Sequence, residues 1–216
     1  MPSLTKKKTL SLKVGARVSD LSKAQTREVL SELQSCHKDL DVRFECCYMS
    51  TTGDLDLEAS LTHMDKTDFF TKEIDQALLN GSIDIGIHSA KDLPDPLHED
   101  LEIISLTKGK DSRDALLMSE GKDIGDLKKN AVIACSSLKR QEEIKKLRHD
   151  FTFTDVRGCV KSRIEQLNEK KFDALVVAEA AIIRLELTHL NRYMLSYPTT
   201  KFQGQLAILA KKELIM

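Results

Sequence analysis

AVIACSSLKRQEEIKKL, residues 131–147, decides how the chain is read. Residues 131–134 are small and apolar and suit a short buried strand. Residues 137–147 carry helical spacing, and Cys135, Ser136 and Ser137 lie at the join. A strand that gives way through small polar residues to a helix is the unit from which α/β domains are built. It is also a place where chemistry collects. The first turn of a helix has free N–H groups and a positive dipole end, serine hydroxyls add donors, and Lys139 and Arg140 add full charges, which together suit a carboxylate or phosphate. The plainer reading is a serine N-cap followed by two solvated basic residues, and from this segment alone it is the one to prefer.

The same pattern extends in both directions. Residues 10–16 read as a strand and 19–34 as a helix, with Leu21, Ala24, Val29, Leu30 and Leu33 at helical spacing. Residues 41–49 alternate as a strand does, and STTGD (50–54) reads as a turn broken at Gly53. A helix is predicted over 69–79, ended by Asn80 and Gly81, then strands over 83–87 and 101–106. A second unit begins near Lys108. After the segment at 131–147 it repeats strand then helix at 151–156 and 160–167, and again at 174–178 and 180–187. This alternation predicts an α/β protein with parallel sheets.

Composition bounds the function. The chain has 216 residues, enough for one large domain or two small ones, with 41% hydrophobic and 31% charged residues and a formal net charge of −1. That charge gives no general reason to expect nucleic acid or a membrane surface, so an anion site must be a local cluster. The apolar run after Lys6, Lys7 and Lys8 is too short and mixed for a signal-peptide core, and no stretch is long enough to span a bilayer; the expectation is a cytoplasmic protein. Cys36, Cys46, Cys47, Cys135 and Cys159 are odd in number and lack CxxC spacing, so reduced thiols are expected rather than disulfides or zinc. No His/Cys/Asp cluster has ligand spacing and no glycine-rich nucleotide fingerprint occurs, so neither a metal nor a nucleotide is expected.

Ligands of open α/β sheets bind beyond the carboxyl ends of the strands. Three more junctions carry charge there. Arg17 and Ser19 follow the first strand. Arg157, Gly158 and Arg163 follow the strand at 151–156, where Gly158 allows a sharp turn and two guanidiniums can converge on one anion. DIGIHSAKDLPD (84–95) sets His88, Ser89, Lys91 and Asp92 where a strand runs out. His88 reads as a packed histidine. Asp92 is either a plain turn residue or a lone carboxylate among cations, which would stay ionised and could steady a developing positive charge or relay a proton. Several junctions of one kind suggest a cation-lined cleft that receives a polyanion.

The segments ARVSDLSKAQT, MSTTGD, FFTKEIDQALLNGSIDIGIHSAKDLPD, SRDALL, CSSLKRQ, DVRGCVKSRI, DALVVAEAAIIRL and FQGQLAILAKK, in this order, resemble the porphobilinogen deaminase (hydroxymethylbilane synthase) family. The resemblance covers nearly the whole chain from about Leu10, and HSxKDLP and SSLxRQ are its specific motifs. It implies a transferase of haem (tetrapyrrole) biosynthesis that joins four porphobilinogen units head to tail with loss of ammonia. It implies two periplasmic-binding-protein-like (type II) α/β domains with a cleft between them: residues 1–107 plus 201–216, and residues 108–200, the chain crossing over and returning at FQGQLAILAKK. It assigns Asp92 as the catalytic carboxylate that contacts pyrrole N–H groups, assists departure of the amine and stabilises the azafulvenium cation. It assigns Arg17, Ser19, Lys91, Ser137, Lys139, Arg140, Arg157, Arg163 and Arg184 to the acetate and propionate groups. A monomer and porphobilinogen as the small-molecule partner are expected.

The family also carries a covalent dipyrromethane primer on a cysteine of a third domain. The chain ends at Met216, and the expectation is a short form with neither that domain nor a residue matching that cysteine. Cys135 and Cys159 are the candidates for attachment, against the favoured reading that each is a packed thiol of the cleft. Lys139 and Cys159 stand where the family usually has Arg and Asn, and Ala181 and Gln205 where it has Gly and Ala. The segment LDLEASLTHMDKTDFF keeps only Lys66 of the family's loop lysines. Two functions follow from these features: the deaminase itself, or a degenerate paralogue that binds porphobilinogen or a tetrapyrrole without polymerising it. Asp92 among the cations favours the first, and the missing primer cysteine the second.

Overall fold

Along β10 (Leu206–Lys211) the apolar side chains take turns facing two different cores. Leu206, Ile208 and Ala210 pack with Val14 and Val29, whereas Ala207 and Leu209 pack with Ile74 and Leu78. A strand apolar on both faces is one covered on both sides by helices. In the computed structural model, which describes residues 9–56, 58 and 67–214, the covering helices are α1 (Asp20–Cys36) and α3 (Lys72–Leu79). The sheet between them runs β2 (Asp41–Met49), β1 (Thr9–Arg17), β3 (Ile85–Ser89), β10, β4 (Leu101–Leu106).

The second sheet obeys the same rule. Its order is β7 (Thr152–Thr154), β6 (Val132–Ala134), β8 (Ala174–Ala178), β5 (Asp114–Met118), β9 (Arg192–Leu195). Leu116, Ile133 and Val176 face α4 (Leu138–Leu147) through Ile144; Leu117, Ala134 and Leu175 face α5 (Val160–Asn168) and α6 (Glu179–Arg184) through Leu167 and Ile182. The chain therefore builds four strands of the first sheet, crosses to build all of the second, and returns to insert β10 between β3 and β4.

Both sheets are mixed, which corrects the expectation of parallel sheets. β1 pairs in parallel with β2 and β3, and β6 with β7 and β8, but β10 runs antiparallel to β3 and β4, and β5 antiparallel to β8 and β9. The antiparallel members follow the crossovers, where no helix intervenes to reverse the chain. The STTGD turn is a one-turn helix, α2 (Thr52–Leu55), instead of a break at Gly53. Gly53 is needed for space: a Cβ there would come within 2.3 Å of the Phe70 ring.

The two crossover segments touch each other through glycine. Gly204 has φ +85° and its missing Cβ would lie 2.8 Å from the Asp111 carbonyl oxygen; Gly109, also at φ +85°, would meet the Gly204 backbone at 3.1 Å. Gly81, at φ +74°, has open space around it. A left-handed backbone costs a non-glycine residue about 1–2 kcal/mol at either site. Only Gly204→Ala adds a collision with backbone that cannot rotate away. Gly204→Ala is expected to lower the chemical-denaturation midpoint clearly more than Gly81→Ala. Equal losses would mean that the crossovers are not held in contact.

Candidate functional site

β1 and β3 run parallel and deliver their carboxyl ends to one rim of the first sheet. β1 ends at Arg17, and Ser19 caps α1 by accepting from Ser22 N–H. β3 ends at Ser89 and passes into a 3-10 turn, Ala90–Asp92. A small recess of about 60 Å³ opens there, lined by Arg17, Ser19, Gln25, Phe70, Ser89 and Asp92, among others. Gln25 donates to the Ser89 hydroxyl at 2.9 Å. The Asp92 carboxylate has no hydrogen-bond or ion-pair partner among the described residues.

The second sheet supplies the facing charges. Ser136 clamps the ends of β6 and β7 together, its hydroxyl donating to the Val156 carbonyl and accepting from Val156 N–H, both at 2.9 Å. From those ends project Arg140, Arg157 and Arg163. Arg140 forks onto Asp114 at 2.9 and 2.6 Å. Lys91 reaches from the first domain to Gln203 Oε1 (3.4 Å), which also accepts from Arg140 (3.1 Å). Burial, and then the Arg140 charge, push the Lys91 ammonium below its usual range, while Asp92 and Asp114 pull it back. Arg163 is lowered for the same reasons: burial first, then Arg157 and Arg140. Cations depressed by one another are the signature of a site short of negative charge.

Two of these cations are provisionally occupied by the protein. Arg17 pairs with Asp54 and lies 4.5 Å over the Phe70 ring. Burial would raise the Asp54 pKa, but the Arg17 bond and charge, with hydrogen bonds from Thr51, hold it below the usual carboxylate range. Arg157 donates across the cleft to the carbonyls of Gly53 (3.1 Å) and Asp56 (2.5 Å), and its buried Nε has no partner.

Other sequence-selected residues lie apart from this cluster. Arg184 forks onto Glu28 of α1, both bonds at 3.0 Å, donates to Gly204 O at 2.9 Å, and is 4% exposed; it ties α6 to α1 beside the crossovers. Lys139 is exposed and donates to Thr199 O. Ser137 is the N-cap of α4 without a side-chain cap bond. Cys135 is buried and its thiol pKa is raised, chiefly by burial, whereas Cys159 is exposed and caps α5 by accepting from Ser162 N–H. Lys66 lies outside the described residues. Among the described residues no group of three or more His, Cys, Asp or Glu could hold a metal ion, and no helix is long and apolar enough to cross a membrane.

Sequence reasoning passed over Asp54, Gln25, Asp114 and Gln203. Asp114 left a signal: a carboxylate at the head of the apolar run DALLM has no cheap burial without a cation. Gln25 left a similar one, as an amide on the buried face of α1.

His88 forms the rear wall of the recess. Its Nε2 lies 3.8 Å from Asp75 Oδ1 and neither atom has a hydrogen bond. Burial, with the Arg17 charge second, lowers His88 to about 4, so the imidazole is neutral near pH 7, and burial also raises Asp75. Unfolded His88 takes a proton below about pH 6.5, whereas folded His88 resists until about pH 4. The stability it contributes is therefore complete above about pH 6.5 and is lost as pH falls toward 4, up to about 3 kcal/mol in all. In His88→Gln, unfolding free energy is expected to fall less steeply between pH 7 and pH 4. A parental slope in that variant would show that His88 does not titrate as described.

Comparison with known proteins agrees with this geometry. Residues 12–214 match the family model described as porphobilinogen deaminase, dipyromethane cofactor binding domain. Porphobilinogen deaminase of Syntrophomonas wolfei is 39% identical over 177 residues, 82% of this chain and 57% of that protein. Those of Natranaerobius thermophilus and Chlorobium phaeovibrioides are 37% and 36% identical, over 83% and 81% of this chain and 57% and 55% of theirs. The chain thus spans somewhat more than half the length of these relatives. In fold it is similar to a periplasmic substrate-binding protein of an ABC transporter from Coxiella burnetii (TM-score 0.55, 13% identity, 94% of this chain and 85% of that one). It is equally similar to a putative lipoprotein from Clostridium difficile (TM-score 0.56, 14% identity, 94% and 84%). These likenesses fix the architecture as two periplasmic-binding-protein-like α/β domains. With its family model matched from one end of the fold to the other, the chain belongs to the porphobilinogen deaminase family.

Proposed function

We propose that the cleft binds porphobilinogen and acts as a hydroxymethylbilane synthase, a transferase that condenses four porphobilinogen units with release of ammonia in tetrapyrrole biosynthesis. The observation that carries this reading is the unbalanced charge of the cleft: Lys91, Arg140, Arg157 and Arg163 are close enough for their charges to act on one another, and Asp92, next to Lys91, is a carboxylate with no hydrogen-bond or ion-pair partner among the described residues. Among the described residues, only Arg140 of these cations is paired with a carboxylate, Asp114, while Lys91, Arg157 and Arg163 donate to neutral oxygens, so acidic side chains of a ligand would supply the missing countercharge. Arg17, Ser19, Lys91, Arg140, Arg157 and Arg163 take the acetate and propionate groups in this account; Ser137 and Lys139 hold the outer rim. Arg184 acts through its Glu28 pair, by fixing the domains.

Asp92 supplies the one charge of opposite sign. When the C–N bond of the protonated aminomethyl group breaks, its electron pair leaves with nitrogen as ammonia and the positive charge passes from the ammonium to the pyrrole. Opposite charges 4 Å apart attract by about 4 kcal/mol at an effective dielectric of about 20, so a carboxylate at the pyrrole N–H favours the cation over its parent. The α-carbon of an acceptor pyrrole then forms the C–C bond, and its proton leaves to Asp92 or to water. Cations on the acid groups hold the two pyrroles in line; guanidiniums, and Lys91 as an ammonium, are already protonated and cannot take that proton.

The family's dipyrromethane would bring two further pyrroles with acid groups, a primer for chain growth. The cation set fits such a group. The thiols fit it less well, because burial raises Cys135 away from thiolate and Cys159 is engaged as a helix cap. The net charge of −1 supports a cytoplasmic monomer acting on a small molecule, without nucleic acid or membrane.

Incubation of the full chain with porphobilinogen is expected to consume it and to add pyrrole-unit masses to the intact protein. Asp92→Asn is expected to slow consumption at least about 100-fold while porphobilinogen still binds. Unmodified mass and unconsumed substrate with the parent chain would contradict the enzyme, and binding without consumption would favour the non-polymerising paralogue. Parental turnover in Asp92→Asn would remove Asp92 from the chemistry.

A further inference from the structure

Asp114 opens β5 and is 1% exposed. Its carboxylate accepts four hydrogen bonds: two from the Arg140 fork, one from the Tyr197 hydroxyl at 3.0 Å and one from Gln203 Nε2 at 2.9 Å. Gln203 Nε2 donates its second hydrogen to Ser112 O, also at 2.9 Å. This fixes the amide. Reversed, Gln203 would turn its oxygen on a carboxylate and a carbonyl, and its N–H groups on two cations. Held as it is, Oε1 faces Lys91 Nζ at 3.4 Å and Arg140 Nη2 at 3.1 Å. Gln203 is 4% exposed and sits in the returning crossover, so the contact joins the domains where they are covalently linked.

We propose that Asp114 is a positioning residue that, through Gln203 and Arg140, presents an ammonium from one domain and a guanidinium from the other to a single ligand carboxyl group beside Asp92. The identity of that ligand rests on the porphobilinogen reading; the pairing of cations does not. Asp114 touches no ligand in this account. It acts by geometry and by charge. Lys91 is faced by Arg140 from α4, Arg163 from α5, Asp92 from its own turn, Asp114 from β5 and the Gln203 amide. Asp114 and Asp92 are carboxylates whose charges favour the protonated form of this amine.

The test uses the full chain, its Asp114→Asn variant, and two readings: competitive acetylation of Lys91 followed by mass spectrometry across pH, and porphobilinogen affinity by calorimetry. Asp114→Asn is expected to make Lys91 several-fold more reactive near pH 8, because less of it is protonated, and to weaken porphobilinogen binding about tenfold, the loss of one charge-assisted hydrogen bond. Adding Gln203→Glu to Asp114→Asn returns a carboxylate to the same two cations and is expected to reverse both changes. Gln203→Met leaves the Asp114–Arg140 fork in place and severs the link to Lys91, so it serves where Asp114→Asn does not fold; its binding loss should be similar. Unchanged Lys91 reactivity or unchanged porphobilinogen affinity in the folded variants overturns the proposal. A parent chain that does not bind porphobilinogen refutes the functional reading instead, and Lys91 reactivity then decides the role of Asp114.

Discussion

Like charges repel, and this fold holds four cations against that repulsion in one cleft. Lys91 comes from the first domain and Arg140, Arg157 and Arg163 from the second. Each lies at the carboxyl end of a parallel strand or in the helix that follows it, so sheet topology alone brings them together. What keeps them there is a set of internal anions and carbonyls. Asp114 holds Arg140, Asp54 holds Arg17, and the carbonyls of Gly53 and Asp56 hold Arg157. The arrangement remains net positive, and the acidic ligand proposed for it would offset that charge.

Other bonds cross the domain boundary together with those of Arg157. Glu28 with Arg184, Asp20 with Lys161, and Arg157 with α2 join the domains, while Leu21 of α1 packs against the second domain's core. Opening the cleft breaks them. The exposed pair Asp20–Lys161 adds little; Glu28–Arg184, with its guanidinium 4% exposed beside the glycine-paired crossovers, is the one whose loss of a partner would leave a buried charge uncompensated. Arg184 is thus selected by sequence motif for ligand binding but placed by the fold where it controls geometry.

Apolar patterning made β1, β2, β4, β8 and the longer helices legible, because the apolar positions of each lie within one short window of the sequence. β5 and β9 escaped it. β5 is apolar from Ala115 to Met118 with no polar alternation, and it follows a crossover instead of a helix; β9 is four residues at a sheet edge. Their antiparallel pairing follows from long-range topology that no local window contains. At the site, the charged residues next to strand ends were readable, since Asp92, Lys91, Arg140 and Arg163 announce themselves by position. Their partners were not: Gln203 lies 63 residues from Arg140 and 112 from Lys91, and only the returning chain brings it between them.

The account stands most directly on where the acid side chains and the pyrrole nitrogen of a bound ligand lie. A crystal structure of the Asp92→Asn chain with porphobilinogen would show this without turnover. The pyrrole N–H should lie within hydrogen-bond distance of residue 92, about 3 Å, with the acetate and propionate on guanidinium or ammonium groups drawn from both domains. A ligand bound elsewhere, or with its acid groups in solvent and its pyrrole away from residue 92, would contradict the account.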